Sequence, residues 1–154
     1  MNSETFDQDY ELSPAHIEGL RKVAQQHGIR LLLVFGSAVT GLLHARSDLD
    51  LAVLTEKAGL SWGEIADLLA DLQAAIPRVR IDMVLLYQAD PLLLKNIADN
   101  CRLLVGGANE LARFKVYAYK RWVDHRRFFE LERQWTEDWV QRQVEKHKSA
   151  PGAA

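Results

Sequence analysis

The hydrophobic pattern of the chain alternates between helical and strand-like stretches. Apolar residues recur every three or four positions in four stretches, which predicts helices over about residues 14–27, 61–76, 91–101 and 109–147. Between them lie short apolar runs of strand length, at residues 31–35, 49–54, 79–86 and 103–105. Helices and strands therefore alternate along the chain, which is typical of an α/β or α+β protein with about four strands.

Three of the predicted helices begin at recognisable capping sequences. These are Ser13-Pro14, Ser61 with Glu64 three residues later, and Asp90-Pro91. A Ser or Asp side chain accepts hydrogen bonds from the first free N–H groups of a helix, and Pro suits the first helical position. Gly28 and Pro77 predict where the first two helices end.

The C-terminal segment is helical in pattern, highly charged and rich in aromatic residues. Phe128, Leu131, Trp135 and Trp139 recur at helical spacing. One interpretation is a helix that packs on the sheet; another is a partner surface, since Trp, Tyr and Arg dominate protein interfaces. Both stay open for residues 122–140. We predict a core over residues 1–107 and, within the same domain, a helical extension over residues 108–148 that packs on the core or on a partner.

Composition limits the classes of protein to consider. With 154 residues, 48% of them hydrophobic, the chain can bury the core of a single domain. A net charge of -2 gives no overall positive field for nucleic acid or membranes. Cys101 is the only cysteine, which excludes an intrachain disulfide and fits a reducing compartment. Because we find neither a signal peptide nor an apolar run of membrane-spanning length, we expect a cytoplasmic protein.

Two carboxylates stand at the start of the second predicted strand. Side chains alternate faces along a strand, so Asp48 and Asp50 point one way while Leu49, Leu51 and Val53 point into the core. Two carboxylates on one face repel each other unless a cation lies between them. Mg²⁺ typically binds through one or two carboxylates together with substrate phosphates. The pattern therefore favours a magnesium site.

A Gly-Ser pair ends the first predicted strand. Gly36 lets the backbone approach a ligand closely, and Ser37 offers a hydroxyl group. If a short helix opens at this point, its unpaired N–H groups would also attract phosphate. Each motif alone is common in turns, but together they predict that phosphates and metal meet at one place.

Taken together, these motifs resemble the nucleotidyltransferase superfamily, whose best-known large member is DNA polymerase beta. The resemblance rests on Gly36-Ser37, the pair Asp48-x-Asp50 ten residues later, and a third carboxylate at Asp82 on the following strand. It is closest to the minimal nucleotidyltransferase branch and covers roughly residues 29–86. It implies the nucleotidyltransferase fold, with a small mixed sheet of about four strands flanked by helices and a long C-terminal helical segment.

The resemblance also implies a mechanism and a partner. Asp48, Asp50 and Asp82 would hold two Mg²⁺ ions, and Asp82 would also favour deprotonation of the acceptor hydroxyl. Gly36 and Ser37 would hold the pyrophosphate that leaves ATP. Minimal nucleotidyltransferases are commonly the antitoxins of HEPN/MNT toxin–antitoxin pairs. By resemblance, this protein would form a hetero-oligomer with a helical HEPN ribonuclease toxin and transfer AMP from ATP to a toxin tyrosine.

One departure from the family pattern concerns the basic contact to the triphosphate. Relatives often carry Arg at this point of the turn, where this chain has Thr40 before Gly41. Arg46 and Lys57 are the two candidates to replace it, and the sequence does not choose between them.

Three classes of function therefore stay open. The first is AMP transfer to a protein; the second is nucleotide transfer to a small molecule such as an aminoglycoside. The third is an antitoxin that binds and occludes its partner without catalysis. A small-molecule transferase usually needs a further domain around its substrate, and about 50 residues after the sheet leave little room for one. The three acids argue against a loss of catalysis.

Overall fold

A four-stranded sheet forms the centre of the fold in the computed structural model, which describes residues 11–40 and 48–148. The elements run in the order α1 (Pro14–Gln26), β1 (Ile29–Phe35), a 3-10 helix (Gly36–Thr40), β2 (Leu49–Thr55), α2 (Trp62–Ala75), β3 (Ile81–Leu85), α3 (Pro91–Asp99), β4 (Cys101–Val105) and α4 (Ala108–Lys148). The predicted alternation of helices and strands is confirmed, although β3 is shorter at both ends than predicted.

The sheet is mixed, with strand order β3-β2-β1-β4. Strand β1 is antiparallel to both β2 and β4, whereas β2 and β3 are parallel. Phe35 therefore lies opposite Asp50 on one side and Cys101 on the other, and Asp50 lies opposite Asp82. The end of β1 and the starts of the other three strands meet at one edge of the sheet. We call this row of strand ends, marked by Phe35, Asp50, Asp82 and Cys101, the carboxylate edge. It crosses all four strands and is not an edge strand.

Helices cover both faces of the sheet, and the side chains of β1 are apolar on both of these faces. Leu32 and Val34 belong to a buried cluster with residues of α1 and α2. Leu31 and Leu33 belong to a second cluster with α3 and the first part of α4. All four are fully buried. This is why the sequence of β1 reads as a continuous apolar run instead of an alternating one.

The helix starts form as their capping sequences predict. The Ser13 hydroxyl accepts a hydrogen bond from His16 N–H, and that of Ser61 accepts one from Glu64 N–H. One carboxylate oxygen of Asp90 accepts hydrogen bonds from the N–H groups of Leu92 and Leu93. The three caps satisfy donors that have no partner within the helix, and so they fix where α1, α2 and α3 begin.

Helix α4 is a single helix of 41 residues, and only its first part packs against the core. Phe114 and Ala118 are buried in the second cluster, and Lys95 of α3 lies over the ring of Trp122. Four large residues farther along are exposed, with fractions of 63%, 61%, 66% and 50% for Phe128, Leu131, Trp135 and Trp139. The interpretation in which this segment packs on its own sheet is therefore wrong for these four residues.

No helix within residues 11–40 and 48–148 combines enough length with enough apolar character to span a bilayer.

Candidate active site

The pairing of β2 with β3 brings two of the predicted acids together. Asp50 and Asp82 occupy directly paired positions on these parallel strands, and Asp48 immediately precedes β2. The N–H of Leu49 donates a 2.8 Å hydrogen bond to the carbonyl of Arg80, which fixes the start of β2 against the residue before β3. The three acids of the sequence motif therefore lie at the carboxylate edge.

Alternation along β2 points these acids away from the cluster that contains Leu49, and their position at the start of the strand keeps them near the surface, since Ala52 on the same face is fully buried. Leu49, Leu51 and Val53 are fully buried, whereas Asp50 is partly buried and Asp48 is exposed. This is the orientation that the sequence predicts for the strand. The apolar side chains anchor the strand and leave the carboxylates at the surface, where a ligand can reach them.

The Gly-Ser pair lies directly against this group of acids. Gly36 has a φ of +69°, a conformation that favours glycine, and its α-carbon faces the Asp50 carboxylate. Ser37 is exposed in the 3-10 helix, and the next residue, Ala38, is buried in the core with 2% of its surface exposed. Sequence reasoning missed Ala38 as the anchor of this turn, although a small apolar residue directly after Gly-Ser is a signal for one.

The electrostatics of Asp50 reflect its crowded position. Burial raises the pKa of its carboxyl above the ordinary value of 3.8, and repulsion by the charges of Asp82 and Asp48 raises it further. Within the described residues, no lysine or arginine forms an ion pair with any of the three acids. None of the described lysine and arginine side chains therefore neutralises these carboxylates.

The structure tests only one of the two residues predicted to contact the triphosphate. Lys57 is wrong for this role: it follows β2 at the end of the sheet opposite the carboxylate edge, because Ile29 pairs with Thr55 there. Its ammonium group instead donates hydrogen bonds of 2.8 and 3.1 Å to the Glu64 carboxylate. Arg46, together with Gly41, lies outside the described residues.

The chemistry of this donor set fits a hard divalent cation. Carboxylate oxygens are the ligands that Mg²⁺ prefers, and a cation between Asp50 and Asp82 would relieve their repulsion. In the described part of the chain, no three acidic, histidine or cysteine side chains are arranged to hold one metal ion together. Two carboxylates with phosphate and water oxygens would therefore complete the coordination, as is usual for magnesium at nucleotide sites.

A separate apolar cavity of about 320 Å³ lies far from these acids. Arg30, Leu54 and Leu86 line it, together with residues at the start of α4. Residues 30 and 54 belong to the edge of the sheet opposite Asp50. This cavity is therefore not part of the candidate active site.

Comparison with known proteins agrees with this geometry. The sequence model of the family described as "Polymerase beta, Nucleotidyltransferase" matches residues 18–110, which include the Gly-Ser pair and all three acids. The chain belongs to the polymerase beta nucleotidyltransferase family. The predicted resemblance and the predicted fold are thus confirmed. No curated protein sequence matches the chain significantly.

Solved structures show the same nucleotidyltransferase fold. A chain of a toxin–antitoxin complex with AMP-PNP has a TM-score of 0.64 and 24% identity, over 81% of this chain and 98% of its own. A chain of the complex between the tri-AMPylated HEPN toxin of Shewanella oneidensis and its MNT antitoxin has a TM-score of 0.59 and 22% identity, over 82% and 96%. A protein described as a minimal nucleotidyltransferase has a TM-score of 0.53 and 27% identity, over 66% and 98%.

Proposed function

We propose that this protein is an antitoxin that transfers AMP from ATP to a tyrosine of a HEPN toxin. The observation that carries the proposal is the group of three acids at one sheet edge, with Gly36 against Asp50. Family membership supports nucleotidyl transfer. The fold is similar to chains from toxin–antitoxin complexes, one with AMP-PNP and another with an AMPylated HEPN toxin, which supports ATP as substrate and the toxin as acceptor.

The reaction would exchange one phosphorus–oxygen bond for another. The tyrosine hydroxyl oxygen bonds to the α-phosphorus of ATP, the bond from that phosphorus to the bridging oxygen breaks, and pyrophosphate leaves. A tyrosine hydroxyl has an ordinary pKa of about 10, so the loss of its proton needs help at neutral pH. Asp82 is exposed beside Asp50 and would favour that loss. Gly36 and Ser37 would hold the phosphates that leave.

The acids would carry out this work together with bound metal. Two Mg²⁺ ions held by Asp48, Asp50 and Asp82 would neutralise the charge that builds up on the phosphate oxygens. The role of the protein is to position these carboxylates, which β2 and β3 do through their register. We also propose that the protein is cytoplasmic, because the proposed reaction uses ATP and modifies an intracellular ribonuclease.

The location of the acids favours a protein acceptor over a small molecule. They lie at the open edge of a sheet, and the described residues form no second lobe above them. A small-molecule transferase generally encloses most of its substrate in a concave pocket. AMP attached to the toxin would add a bulky anion that repels RNA, so charge and steric block would inhibit the toxin together.

Incubation with the HEPN protein of a neighbouring gene, ATP and Mg²⁺ tests the proposal. We expect a mass increase of one or more AMP units on a tyrosine-containing peptide of the toxin. Asp50→Asn should abolish this labelling, whereas the matched control Asp67→Asn, on the exposed face of α2, should not. Inhibition without any adduct, unchanged in Asp50→Asn, would support occlusion instead. Labelling of an aminoglycoside but not the toxin would support the small-molecule enzyme.

A further inference from the structure

The exposed half of α4 carries an apolar stripe with a charged residue at each end. Six positions follow each other at spacings of three or four residues and therefore lie along one face of the helix. We call them the stripe: Asp124, Phe128, Leu131, Trp135, Trp139 and Arg142. Its four apolar members are 50–66% exposed, so nothing within the described residues covers this face.

The opposite face of the same helix is suited to water. Arg126 lies 3.7 Å from Glu130, and Arg133 lies 3.9 Å from Glu137, both one helical turn apart. Such pairs are typical of a solvated face. One side carries these ion pairs, with Val140 and Val144 as its exposed apolar residues, and the other carries the larger apolar side chains of the stripe, so this segment is an amphipathic helix. An isolated amphipathic helix is marginally stable in water unless its apolar face is buried.

Helix α4 extends well past the domain core. It starts near Arg30, which donates a 2.6 Å hydrogen bond to Glu110, its buried residues are Phe114 and Ala118, and the ring of Trp122 lies under Lys95 of α3. Residues 126–148 then extend over about 34 Å at the rise of an α-helix. The minimal nucleotidyltransferase matches 66% of this chain over 98% of its own length, so about a third of this chain has no counterpart in that protein.

We propose that the stripe binds the stripe of a second copy of this chain, with the two α4 helices antiparallel. The order of residues along the stripe is the reason, because it is complementary to itself when reversed. An antiparallel pair centred near residue 133 places Asp124 opposite Arg142 of the second copy. In the same register, Phe128 meets Trp139 and Leu131 meets Trp135. In this single register, each charged residue of the stripe faces an opposite charge and each apolar residue faces an apolar one.

Charges beside the stripe agree with this register. Arg127 and Asp138 are both exposed on the same edge of the stripe, and the register places each opposite the other in the second copy.

A parallel arrangement of the two helices is disfavoured by the same residues. It would place Asp124 opposite Asp124 and Arg142 opposite Arg142, so like charges would meet at both ends of the stripe. The antiparallel arrangement replaces both repulsions with attractions.

The area of the stripe is large enough for a specific dimer. A buried aromatic side chain covers about 150–250 Å², so covering the exposed parts of Phe128, Leu131, Trp135 and Trp139 in both copies would remove on the order of 1,000 Å². That reaches about the lower limit for specific interfaces, even before the flanking charged residues are included. The stripe alone therefore offers about the smallest area at which a specific dimer is expected.

Sedimentation equilibrium of the full-length chain alone tests this inference without any toxin or ATP. We expect the mass of two chains at micromolar concentration. Trp135→Asp should raise the dissociation constant at least roughly 100-fold, since both copies lose a central anchor. The matched control Val144→Asp, which lies on the opposite face and is also exposed, should leave it within about threefold. Circular dichroism should show that both variants keep the helix content of the wild type.

Charge reversal tests the antiparallel register. Asp124→Arg alone and Arg142→Asp alone should each weaken the dimer roughly tenfold, because two attractive pairs become repulsive. The double variant Asp124→Arg with Arg142→Asp should recover most of the wild-type affinity. A monomeric wild type, equal effects of Trp135→Asp and Val144→Asp, or a double variant weaker than either single one would each overturn the proposal. Equally, a monomeric chain whose Trp135→Asp variant fails to bind the toxin would assign the stripe to the toxin instead.

Discussion

The backbone of Gly36 packs directly against the side chain of Asp50. A Cβ atom added to Gly36 would overlap the Oδ2 atom of Asp50 and lie 3.3 Å from its Cγ atom. The glycine also has a φ of +69°, which other residues rarely adopt. Two independent reasons therefore require glycine here, and both concern the position of one carboxylate. The end of β1 thus fixes how the central acid of the site is placed.

Gly36→Ala should therefore damage the site more than its backbone strain alone predicts. The strain of a positive φ costs about 1–2 kcal/mol for an ordinary residue. Gly59→Ala is a matched control, because Gly59 has a φ of +79° but open space around the added methyl group. We expect both variants to lose stability in thermal melts, but only Gly36→Ala to lose nucleotidyl transfer. Equal activity in the two variants would show that the contact with Asp50 does not matter.

Asp50→Asn should change how stability depends on pH in the metal-free protein. Because burial, with repulsion from Asp82 and Asp48, raises the pKa of Asp50 above 3.8, the folded state holds this proton to a higher pH than the unfolded state. The free energy of unfolding therefore falls as pH rises from 3.8 through the raised pKa, and it stays lower above that range. Asn cannot ionise, so the variant should lack this loss and be more stable than the wild type at neutral pH.

Urea denaturation in EDTA across this pH range measures the effect. Asp67→Asn, with the same change of charge at an exposed position, should leave the pH profile unchanged. Adding Mg²⁺ should raise the free energy of unfolding of the wild type but not that of Asp50→Asn. An Asp50→Asn variant that is less stable than the wild type at neutral pH would contradict the repulsion between the acids.

Ser37→Ala should cause a partial loss of activity. The change removes one hydroxyl contact to phosphate but keeps the backbone N–H groups of the turn. A hydrogen bond worth about 1–3 kcal/mol corresponds to roughly 5-fold to 150-fold in rate or affinity. Steady-state kinetics with ATP would measure it. If the kinetic constants do not change, the Gly-Ser turn has a structural role and does not hold the nucleotide.

Much of the candidate site could be predicted from sequence because it depends on local patterns. Strand alternation places Asp48 and Asp50 on one face, opposite Leu49 and Leu51, and the break at Gly36 marks the end of β1 whatever lies around it. The pairing of β2 with β3 is different, because no local pattern specifies which strands are neighbours. The sequence places Asp82 beside Asp50 only through the resemblance to a known family.

The failures of sequence reasoning concern distance and burial. Lys57 is only seven residues from Asp50 along the chain, but a strand runs between them and carries Lys57 to the other end of the sheet. The spacing of Phe128, Trp135 and Trp139 predicts a shared helix face, yet periodicity does not reveal whether the core reaches that far. The buried residues of α4 end at Ala118, and α3, which packs against α4, contains only nine residues to its 41.

The last prediction concerns how much of α4 the fold needs. A chain that ends after His125 keeps the buried side chains of Phe114 and Ala118 and the contact between Trp122 and Lys95. We expect it to unfold cooperatively, with a melting temperature close to that of the full chain. A chain that ends after Gly107 loses all of these contacts and exposes the cluster around Leu31 and Leu33. Loss of a buried Phe alone costs about 3–5 kcal/mol, so this shorter chain should not fold. Thermal melts of both truncations would decide this, and a folded 1–107 fragment would show that the core is independent of α4.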